Sequence, residues 1–395
     1  MSITRVRYII FLRDVLVLSL TAFGGPTAHM AMFLDILVKK RGYLNEQDLI
    51  ELYALCQILP GPTSTQTITS VGFKIGGPNL AYLTLLVWMI PAVSIMIALG
   101  VMMTFLQGMN ISLDFLRFIQ PIAVGIVAYS AYRIASSVVS SRTGFFLMII
   151  ATLSAFVFRT PFAFPIMILV GGLVTAFKFK KHEPVDEKGK IKINWSNFIL
   201  WLSVLIFAAV LGKVSDFLPV KLFENFYRNG SLIFGGGQVL VPLLYTEFVE
   251  FKHYLTSEEF LSGYGFVQAL PGPVFSFSAY VGVIGMKDSS IMMQVFGGFM
   301  AAAGVFLPGT FLIFFVIRFW EDLKKYRIVR ASLEGINAVS SGMVIAATFF
   351  LLESIESPDT ISYLLMIGTS FLLFFTKIPT PVVIIVGLIT GIILQ

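Results

Sequence analysis

Long apolar runs, separated by short polar stretches, dominate the pattern along the chain. A run of about 18 or more apolar residues can cross the hydrocarbon core of a bilayer as a helix. Such runs are found at Tyr82–Phe105, Gly144–Phe158 with Pro161–Phe177, Phe198–Leu211, Ile291–Ile317 and Ile361–Phe375. The strict apolar and polar alternation of barrel strands is absent from the sequence, so the runs predict helices. We therefore predict an all-α, polytopic integral membrane protein.

Two segments near the N-terminus are interrupted by helix breakers close to their middles. Tyr8–Val38 is interrupted at Gly24-Gly25-Pro26, and Glu46–Phe73 is interrupted at Pro60-Gly61-Pro62. Because proline lacks an amide hydrogen and clashes with the preceding turn, Pro-Gly-Pro cannot continue a helix. The pattern predicts either discontinuous helices that span the membrane or re-entrant hairpins. The positive charges at the segment ends favour hairpins, because all of them then lie on the cytoplasmic side.

The same order of motifs occurs twice. Phe23-Gly24-Gly25 and Gln57-Ile58-Leu59-Pro60-Gly61-Pro62 recur 211 residues later as Phe234-Gly235-Gly236 and Gln268-Ala269-Leu270-Pro271-Gly272-Pro273. A capping-box spacing, Asn45 to Asp48, recurs at the same interval as Thr256 to Glu259. A duplicated half with Gly/Pro interruptions at matching positions indicates a transport site between the halves.

The repeat predicts three parts in the chain. These are a first repeat at 1–179, a basic linker with one extra transmembrane helix at 180–219, and a second repeat at 220–395. If each repeat crosses the membrane an even number of times, the extra helix inverts the second repeat, as alternating access requires. We expect about thirteen membrane segments, with each broken helix counted once, and termini on opposite sides.

Composition and charge narrow the class of protein. Charged residues make up 13% of the 395 residues and hydrophobic residues 57%, whereas soluble domains carry roughly 25% charged residues. The largest basic block behind the net charge of +6, Lys178–Lys192, lies in a polar linker that also holds acidic residues. The positive-inside rule therefore predicts that this loop and the N-terminus are cytoplasmic. With an odd number of spans, the C-terminus then lies on the opposite side. Because the basic block is explained as a membrane-protein loop, we expect no nucleic-acid partner.

The reactive residue types give little support for an enzyme or a metal protein. Cys56 is the single cysteine, and the three histidines lie far apart without metal-ligand spacing. Hydrolase, zinc-helix and phosphate-binding lysine motifs are also missing. We therefore expect a protein that is not an enzyme and has neither a cofactor nor a metal. A membrane enzyme acting on a lipid phosphate is the alternative from another class, and it lacks a paired base or nucleophile.

The helix restarts after the four breaks supply the candidate binding groups. The first amides of a helix have no internal partner, and its dipole places about half a positive charge there, which favours anions. Four such restarts with little fixed side-chain charge suit a tetrahedral oxyanion; the alternative is that the breaks only permit close helix packing. Gln57 and Gln268 either line the site or cap carbonyls where the preceding half-helix ends. The candidate substrate-binding residues are Gly24, Gly25, Pro26, Thr27, Gln57, Gly61, Pro62, Thr63, Ser64, Thr65, Gln66, Gly235, Gly236, Gly237, Gln238, Gln268, Gly272, Pro273 and Ser276.

One titratable residue lies close to a break. His29 falls in the first turn after Pro26, where proton binding can couple to anion binding. A packed structural histidine is the alternative, and the second repeat has Leu240 at this position. Near the N-terminus we also expect Arg13 and Asp14 to pair with each other.

These motifs resemble the chromate ion transporter family of the long, two-domain type. The matching stretches are Phe23–His29, Gln57–Gln66, Phe234–Pro242 and Gly263–Pro273. The resemblance implies a multi-pass protein of the inner membrane, with two homologous halves in opposite orientation, that exports chromate with the proton motive force. Because chromate and sulfate share shape and charge, a carrier for sulfate or another oxyanion is the alternative function. The sequence leaves open whether the protein forms a homodimer.

Overall fold

The computed structural model describes residues 3–109, 114–138, 141–160, 162–177, 193–234, 237–320, 327–355 and 359–393. The first half contains α1 (Ile3–Thr21), α2 (Gly25–Phe33), the π-helix π1 (Leu34–Lys40), α3 (Glu46–Ile58), α4 (Thr63–Gly108), a 3₁₀ turn (Asp114–Leu116), α5 (Ile119–Val138), α6 (Arg142–Phe158) and α7 (Ala163–Ala176). The additional helix is α8 (Ser196–Val214). The second half contains α9 (Leu218–Leu232), α10 (Gly237–Tyr245), the π-helix π2 (Thr246–Phe251), α11 (Ser257–Ala269), a 3₁₀ turn (Val274–Ser276), α12 (Phe277–Ile284), α13 (Ile291–Val316), α14 (Arg327–Glu353), α15 (Thr360–Phe375) and α16 (Thr380–Ile393).

The described residues are helical and contain no strand, which confirms the all-α prediction. Five helical stretches are long and apolar enough to span a membrane: Thr63–Gly108, Asp114–Ser136, Ser196–Val214, Ile291–Val316 and Ala331–Glu353. Five shorter apolar helices accompany them. The chain is therefore a polytopic membrane protein. The expected number of about thirteen membrane segments remains a prediction. The predicted cytoplasmic loop at 178–192 lies outside the described residues.

The helices recur with the interval of the sequence motifs. The helix α3 begins at Glu46 and ends at Ile58, and α11 begins and ends 211 residues later. Both N-caps form: Asn45 accepts from the amide of Asp48 at 2.7 Å, and Thr256 accepts from the amide of Glu259 at 3.1 Å. The second pair is a complete capping box, because Glu259 also accepts from the amide of Thr256 at 2.8 Å. These local signals were readable because a cap depends only on residues within one turn.

Two irregular features also recur in both halves. A π-helix of six or seven residues, π1 or π2, precedes each capping box. Non-helical backbone at Gly76 and Gly77 divides α4, and the corresponding interruption in the second half separates α12 from α13. The restart after each Pro-Gly-Pro motif is consequently a short helix followed by a long one.

Two compact units divide the described helices, and each takes segments from both repeats. Unit 1 comprises 1–111, 195–232 and 266–317, and unit 2 comprises 112–194, 233–265 and 318–395. The boundaries of the compact units therefore differ from those of the repeats 1–179 and 220–395, which were drawn from the recurring sequence motifs.

A continuous apolar core forms where α1 packs in unit 1. Phe11, Val15 and Leu18 are spaced three or four residues apart, so they form one stripe of α1, and Ala22 continues this stripe just after the helix ends; all four are fully buried. They pack against α4 and against hairpin 1, which we define as Gly25–Ile58. Hairpin 1 contributes the buried residues Phe33, Leu37, Leu49 and Leu52 to this core.

The tip of hairpin 1 is tied to α1 through Asp14. The Asp14 carboxylate, nearly buried, accepts from the Arg41 guanidinium at 2.8 Å and from the Tyr43 hydroxyl at 2.7 Å. The predicted pair of Arg13 with Asp14 is wrong, because neighbouring residues on a helix do not face each other. Burial and then the hydrogen bond to Asp14 raise the pKa of Tyr43 to about 12, so its hydroxyl remains a donor.

Small residues and hydroxyls join the helices of unit 2. A Cβ on Gly335 of α14 would overlap the carbonyl of Gly171 on α7, so the two backbones are in direct contact. The Thr175 hydroxyl accepts the amide of Gly335 at 3.1 Å. A second hydroxyl, on Thr152 of α6, donates to the carbonyl of Gly342 at 2.9 Å. Unit 2 is thus held by close backbone packing with hydrogen bonds between helices.

Candidate functional site

Both Pro-Gly-Pro breaks depend on a glycine in the left-handed region. Gly61 has φ 114° and Gly272 has φ 99°, values that L-residues with a side chain rarely adopt. The flanking prolines prevent the preceding helix from continuing through the turn. As a result α3 ends before Gly61 and α4 starts after it, and Gly272 separates α11 from the turn that leads into α12.

The first and fourth breaks meet at one carbonyl in unit 1. The amide of Gly272 donates to the Ala22 carbonyl at 2.8 Å, where α1 has ended and its last carbonyls have no partner within the helix. The ring of His29 approaches the same oxygen, with Nε2 at 3.1 Å. Because a carbonyl only accepts, Nε2 carries the hydrogen in this contact. The other ring nitrogen, Nδ1, is buried without a hydrogen-bond partner among the described residues.

Trp88 of α4 connects the second break to this junction. Its indole Nε1 donates to the Thr65 hydroxyl at 3.1 Å, in the first turn of α4. Its ring lies edge-on to the ring of His29, with centroids 5.4 Å apart. Three breaks therefore form one connected group, which we call the break cluster: Ala22–His29, Pro60–Gln66, Trp88 and Gly272–Ser276.

Each Pro-Gly-Pro turn packs against a helix from the other repeat. A Cβ on Gly61 would lie 3.3 Å from Cα of Gly309 in α13. A Cβ on Gly272 would lie 3.1 Å from Cβ of Ala92 in α4 and 3.4 Å from the carbonyl oxygen of Ser19. We call this arrangement, in which the turn of each repeat packs against a helix of the other, exchanged packing. It leaves little room for a side chain, so steric contact is a second reason, besides the positive φ, for glycine at each turn.

The helix starts in the break cluster lack side-chain caps; those after the two Pro-Gly-Pro turns are largely buried, whereas Gly24 at the start of α2 is exposed and Gly25 and Pro26 are half-buried. No side chain caps the N-terminus of α2, α4 or α12. The first four residues of α4, Thr63 to Gln66, are all buried. At the start of α12 the Ser276 hydroxyl is buried with no hydrogen-bond partner in the described chain, whereas Ser278 donates to the carbonyl of Phe275 at 2.8 Å. The cluster thus has donors available for an anion, and its residues include no Lys, Arg, Asp or Glu.

The glutamines behave differently from one another. Gln66 Nε2 donates to the Pro60 carbonyl at 2.7 Å, so Gln66 caps the end of the preceding half-helix. Gln57 is exposed and does not supply that cap. Gln268 is half-buried, and its Nε2 is buried without a partner among the described residues. The cap is therefore supplied by Gln66, which follows the break and which we predicted from the sequence to bind substrate.

The remaining predicted residues are placed as follows. Gly24, Gly25 and Pro26 form the turn and the first residues of α2. Gly61 and Pro62 are buried beside Thr63, Ser64 and Thr65, and Gly272 and Pro273 are buried before Ser276. Gly237 begins α10 in unit 2, while Gly235 and Gly236 and the side chains of Thr27 and Gln238 lie outside the described residues. The described part of the chain holds no group of three or more His, Cys, Asp or Glu side chains placed to bind a metal ion.

Sequence reasoning missed the partners that join the breaks. Trp88 and Ala92 fall in an apolar run that reads only as a membrane helix, and Gly309 falls in another. The available signal was a tryptophan within an apolar helix, because its indole N–H requires an acceptor there.

The sequence model described as Chromate transporter matches residues 10–176 and again residues 220–392. The chain belongs to the chromate transporter family. This confirms the resemblance drawn from the motifs, and one match falls within each predicted repeat. Because it is a family of transporters, the expectation that the chain is not an enzyme is also confirmed.

Several relatives align along nearly the whole chain. A probable chromate transport protein of Synechococcus elongatus is 25% identical over 94% of this chain and 91% of its own length. A chromate transport protein of Pseudomonas aeruginosa is 26% identical over 85% of this chain and 78% of its own. An uncharacterized transporter of Bacillus subtilis is 24% identical over 39% of this chain and 84% of its own length, so it corresponds to about one repeat. No solved structure matches the chain.

Proposed function

We propose that this member of the chromate transporter family is a secondary transporter that exports chromate across the cytoplasmic membrane, driven by the proton motive force. Relatives that align over most of the chain bear the name chromate transport protein, which supports the substrate. The duplicated, interrupted helices support a carrier in preference to a channel, because such repeats provide two equivalent gates around one site. In this proposal the second repeat is inverted, and the N-terminus and the 178–192 loop face the cytoplasm.

The observation that supports this binding site is the group of helix starts without side-chain caps in the break cluster, of which those after the two Pro-Gly-Pro turns are largely buried. Chromate at neutral pH is a dianion with four oxygens that accept hydrogen bonds. The starts of α2, α4 and the 3₁₀ turn that leads into α12 offer amides with positive partial charge, and the Ser276 hydroxyl is a further donor without a partner among described residues. A site without a fixed cation can release the anion on the other side of the membrane. The sequence adds the fourth start, Gly235–Gln238, to the proposed cage.

His29 is the first candidate for proton coupling at this site. Its Nδ1 is buried without a described partner, while Nε2 is held against the Ala22 carbonyl. Protonation at Nδ1 would place a positive charge within the break cluster and would strengthen anion binding. Movement of one repeat against the other, or of the interrupted segments predicted as re-entrant hairpins, then exposes the anion to each side alternately.

Sulfate is the second candidate substrate. It has the same tetrahedral shape and charge as chromate, and a cage of hydrogen-bond donors separates such near-isosteres poorly. Competition by sulfate, molybdate and phosphate during chromate transport distinguishes a chromate carrier from a broader oxyanion carrier.

The test of the function is uptake of labelled chromate into proteoliposomes that contain the purified protein, with a pH gradient imposed in either direction. Uptake that depends on the gradient supports a proton-coupled carrier. Uptake that ignores the gradient contradicts proton coupling and removes His29 from consideration. If a folded protein takes up no chromate but takes up sulfate, chromate is the wrong substrate.

Two neighbouring serines provide a matched test of the binding site. Ser276→Ala removes the unpartnered hydroxyl, and a hydrogen bond to a charged group contributes about 1.5–3 kcal/mol, so we expect about a tenfold to hundredfold loss of chromate affinity. Ser278→Ala removes a buried hydroxyl that is already bonded to its own turn and should leave affinity nearly unchanged. Equal effects of the two substitutions would exclude the start of α12 from the site. Replacement of Gly61 or Gly272 by leucine should abolish transport.

A further inference from the structure

A charged cluster in unit 2 surrounds the second π-helix. Glu250 of π2 has its Oε1 3.6 Å from Nη1 of Arg159, which follows α6. The other side of the same guanidinium, Nη2, lies 2.6 Å from Oε2 of Glu353 at the end of α14. The rings of Phe156 and Phe350 approach the Arg159 guanidinium, with centroids 5.1 and 4.9 Å away. One cation is therefore held in place between two carboxylates.

The charge balance of this cluster favours one bound proton. Two carboxylates share one guanidinium, so the group carries a net negative charge when both are ionised, and like charges close together make one of them easier to protonate. The Glu250 side chain is 21% exposed, compared with 48% for Glu353. Its Oε2 is buried and makes no hydrogen bond of normal geometry among described residues, although the Thr246 hydroxyl interacts with the carboxyl group. Burial and the neighbouring Glu353 carboxylate therefore favour a bound proton on Glu250.

The other titratable groups near Glu250 do not supply a second compensating charge. Tyr245, at the end of α10, interacts with both Glu250 and Arg159 and is neutral in its ordinary state. Within π2 and the turn after it, Lys252 pairs with the buried Glu247 at 3.1 Å. The charged residues beside Glu250 are thus Arg159 and Glu353, while Lys252 and Glu247 pair with each other. His253, in the turn after π2, is exposed.

The corresponding hairpin of the first repeat is held in another way. We define hairpin 2 as Gly237–Gly265, the part of the second hairpin that belongs to unit 2. At the tip of hairpin 1, Asp14 binds both Arg41 and Tyr43, but the position 211 residues after Asp14 is Asn225. The position that corresponds to Glu250 is Lys39. The acidic residue that ties π2 to Arg159 is therefore specific to the second repeat.

We infer that Glu250 is a proton-binding site that couples proton movement to the motion of hairpin 2. In the ionised form, Glu250 attracts Arg159 and holds π2 to the segment after α6 and to the end of α14. When the carboxylate takes up a proton from water, it becomes a neutral carboxyl group, the attraction to Arg159 is lost, and hairpin 2 is released. Return of the proton to water restores the ion pair. The role of Glu250 in coupling rests on the proposed chromate–proton transport. Its control of hairpin 2 can be tested without any transport measurement.

The transport test separates proton movement from anion movement. Proteoliposomes with an internal pH dye report proton movement when a chromate gradient is imposed, and labelled chromate exchange without a gradient reports translocation alone. For Glu250→Gln we expect exchange to be retained and chromate-driven proton movement to be lost. Glu353→Gln is the matched control, because it removes the other carboxylate of the same guanidinium, and it should retain proton movement. Proton movement by Glu250→Gln at the wild-type ratio to chromate would overturn the inference.

The second test needs neither chromate nor coupling. Amide hydrogen exchange of the wild-type protein, corrected for the intrinsic pH dependence, is compared between about pH 8 and about pH 5, a range that reaches the upper part of a glutamate titration. We expect protection at residues 246–256 to fall at the lower pH and protection at 35–45 to change less. Glu250→Gln should show the low protection at both pH values. Protection of 246–256 that is independent of pH in the wild type refutes the switch, even where the protein transports chromate. If the wild type transports no chromate but shows the pH-dependent protection, the proposed function fails and the Glu250 switch stands.

Discussion

Gly272 provides a quantitative test of the contact between the first and fourth breaks. Gly272→Ala places a Cβ at a residue with φ 99°, 3.1 Å from Cβ of Ala92 and 3.4 Å from the carbonyl oxygen of Ser19. The left-handed backbone costs an L-residue about 1–2 kcal/mol. The close contacts add about 1–3 kcal/mol, the usual effect of an extra methyl group in a packed core. The backbone must also shift, and the hydrogen bond from Gly272 to Ala22 would lengthen.

The control for backbone strain alone is Gly42→Ala at the tip of hairpin 1. Gly42 has φ 61°, and a Cβ there would have no neighbour within 4 Å. We expect Gly42→Ala to lower the free energy of unfolding by about 1–2 kcal/mol and to retain transport. Gly272→Ala should be less stable than this control by about 1–3 kcal/mol and should lose most of its chromate uptake. Both proteins are measured by unfolding in detergent and by uptake into proteoliposomes.

A second-site change shows whether the contact with Ala92 causes the difference. Ala92→Gly in the Gly272→Ala background removes the nearer of the two contacts and should recover part of the lost stability and uptake. The explanation is wrong if Gly272→Ala and Gly42→Ala are equally stable and transport equally well. It is also wrong if Ala92→Gly recovers nothing.

Three further predictions concern single interactions. Asp14→Asn weakens the charge-assisted bond from Tyr43 and should lower stability by about 1 kcal/mol. Its effect should be smaller in a Tyr43→Phe background, where only the pair with Arg41 is affected, and a double-mutant cycle of unfolding free energies measures this coupling. Thr175→Val removes a hydrogen bond between α7 and α14 and should cost about 0.6–2 kcal/mol in the same unfolding assay, and an unchanged stability would contradict that bond's role. Hydrogen bonds from Ser362, and then the Arg117 guanidinium, hold the pKa of Asp359 below its ordinary value. The ionised carboxylate therefore stabilises the fold at pH values above the pKa of the unfolded state. This contribution disappears as the pH falls through the pKa of the folded state. Asp359→Asn should therefore be less stable than wild type at neutral pH, and a series of melting temperatures measured towards acidic pH should converge; a constant gap would refute the linkage.

The features that were predictable from sequence are those set by neighbouring residues. Proline and glycine fix where helices stop, and the capping pairs fix where α3 and α11 begin, because these effects act within one turn. The side chains that join the breaks could not be predicted, since Trp88 meets Thr65 and His29 only after distant segments have packed. Both π-helices were also missed, because the apolar spacing of a π-helix within a short segment resembles that of an α-helix.

Two candidate residues show where chain proximity misleads. Gln57 directly precedes the Pro-Gly-Pro motif and yet is exposed, whereas Gln66, on the far side of the turn, caps Pro60. Arg13 adjoins Asp14 in sequence, but Asp14 binds residues almost thirty positions away. In both cases the direction of the side chain on its helix, rather than its distance along the chain, determined the partner.

The exchanged packing of the two Pro-Gly-Pro turns imposes an order on biogenesis. Gly61 emerges from the ribosome early, but the helix that covers it contains Gly309, which is synthesised and inserted much later. The first repeat therefore waits in the membrane with one face of its turn uncovered until α13 arrives, and contacts of such long sequence separation form slowly. A chain that ended after the first repeat would have to obtain this covering helix from a second molecule.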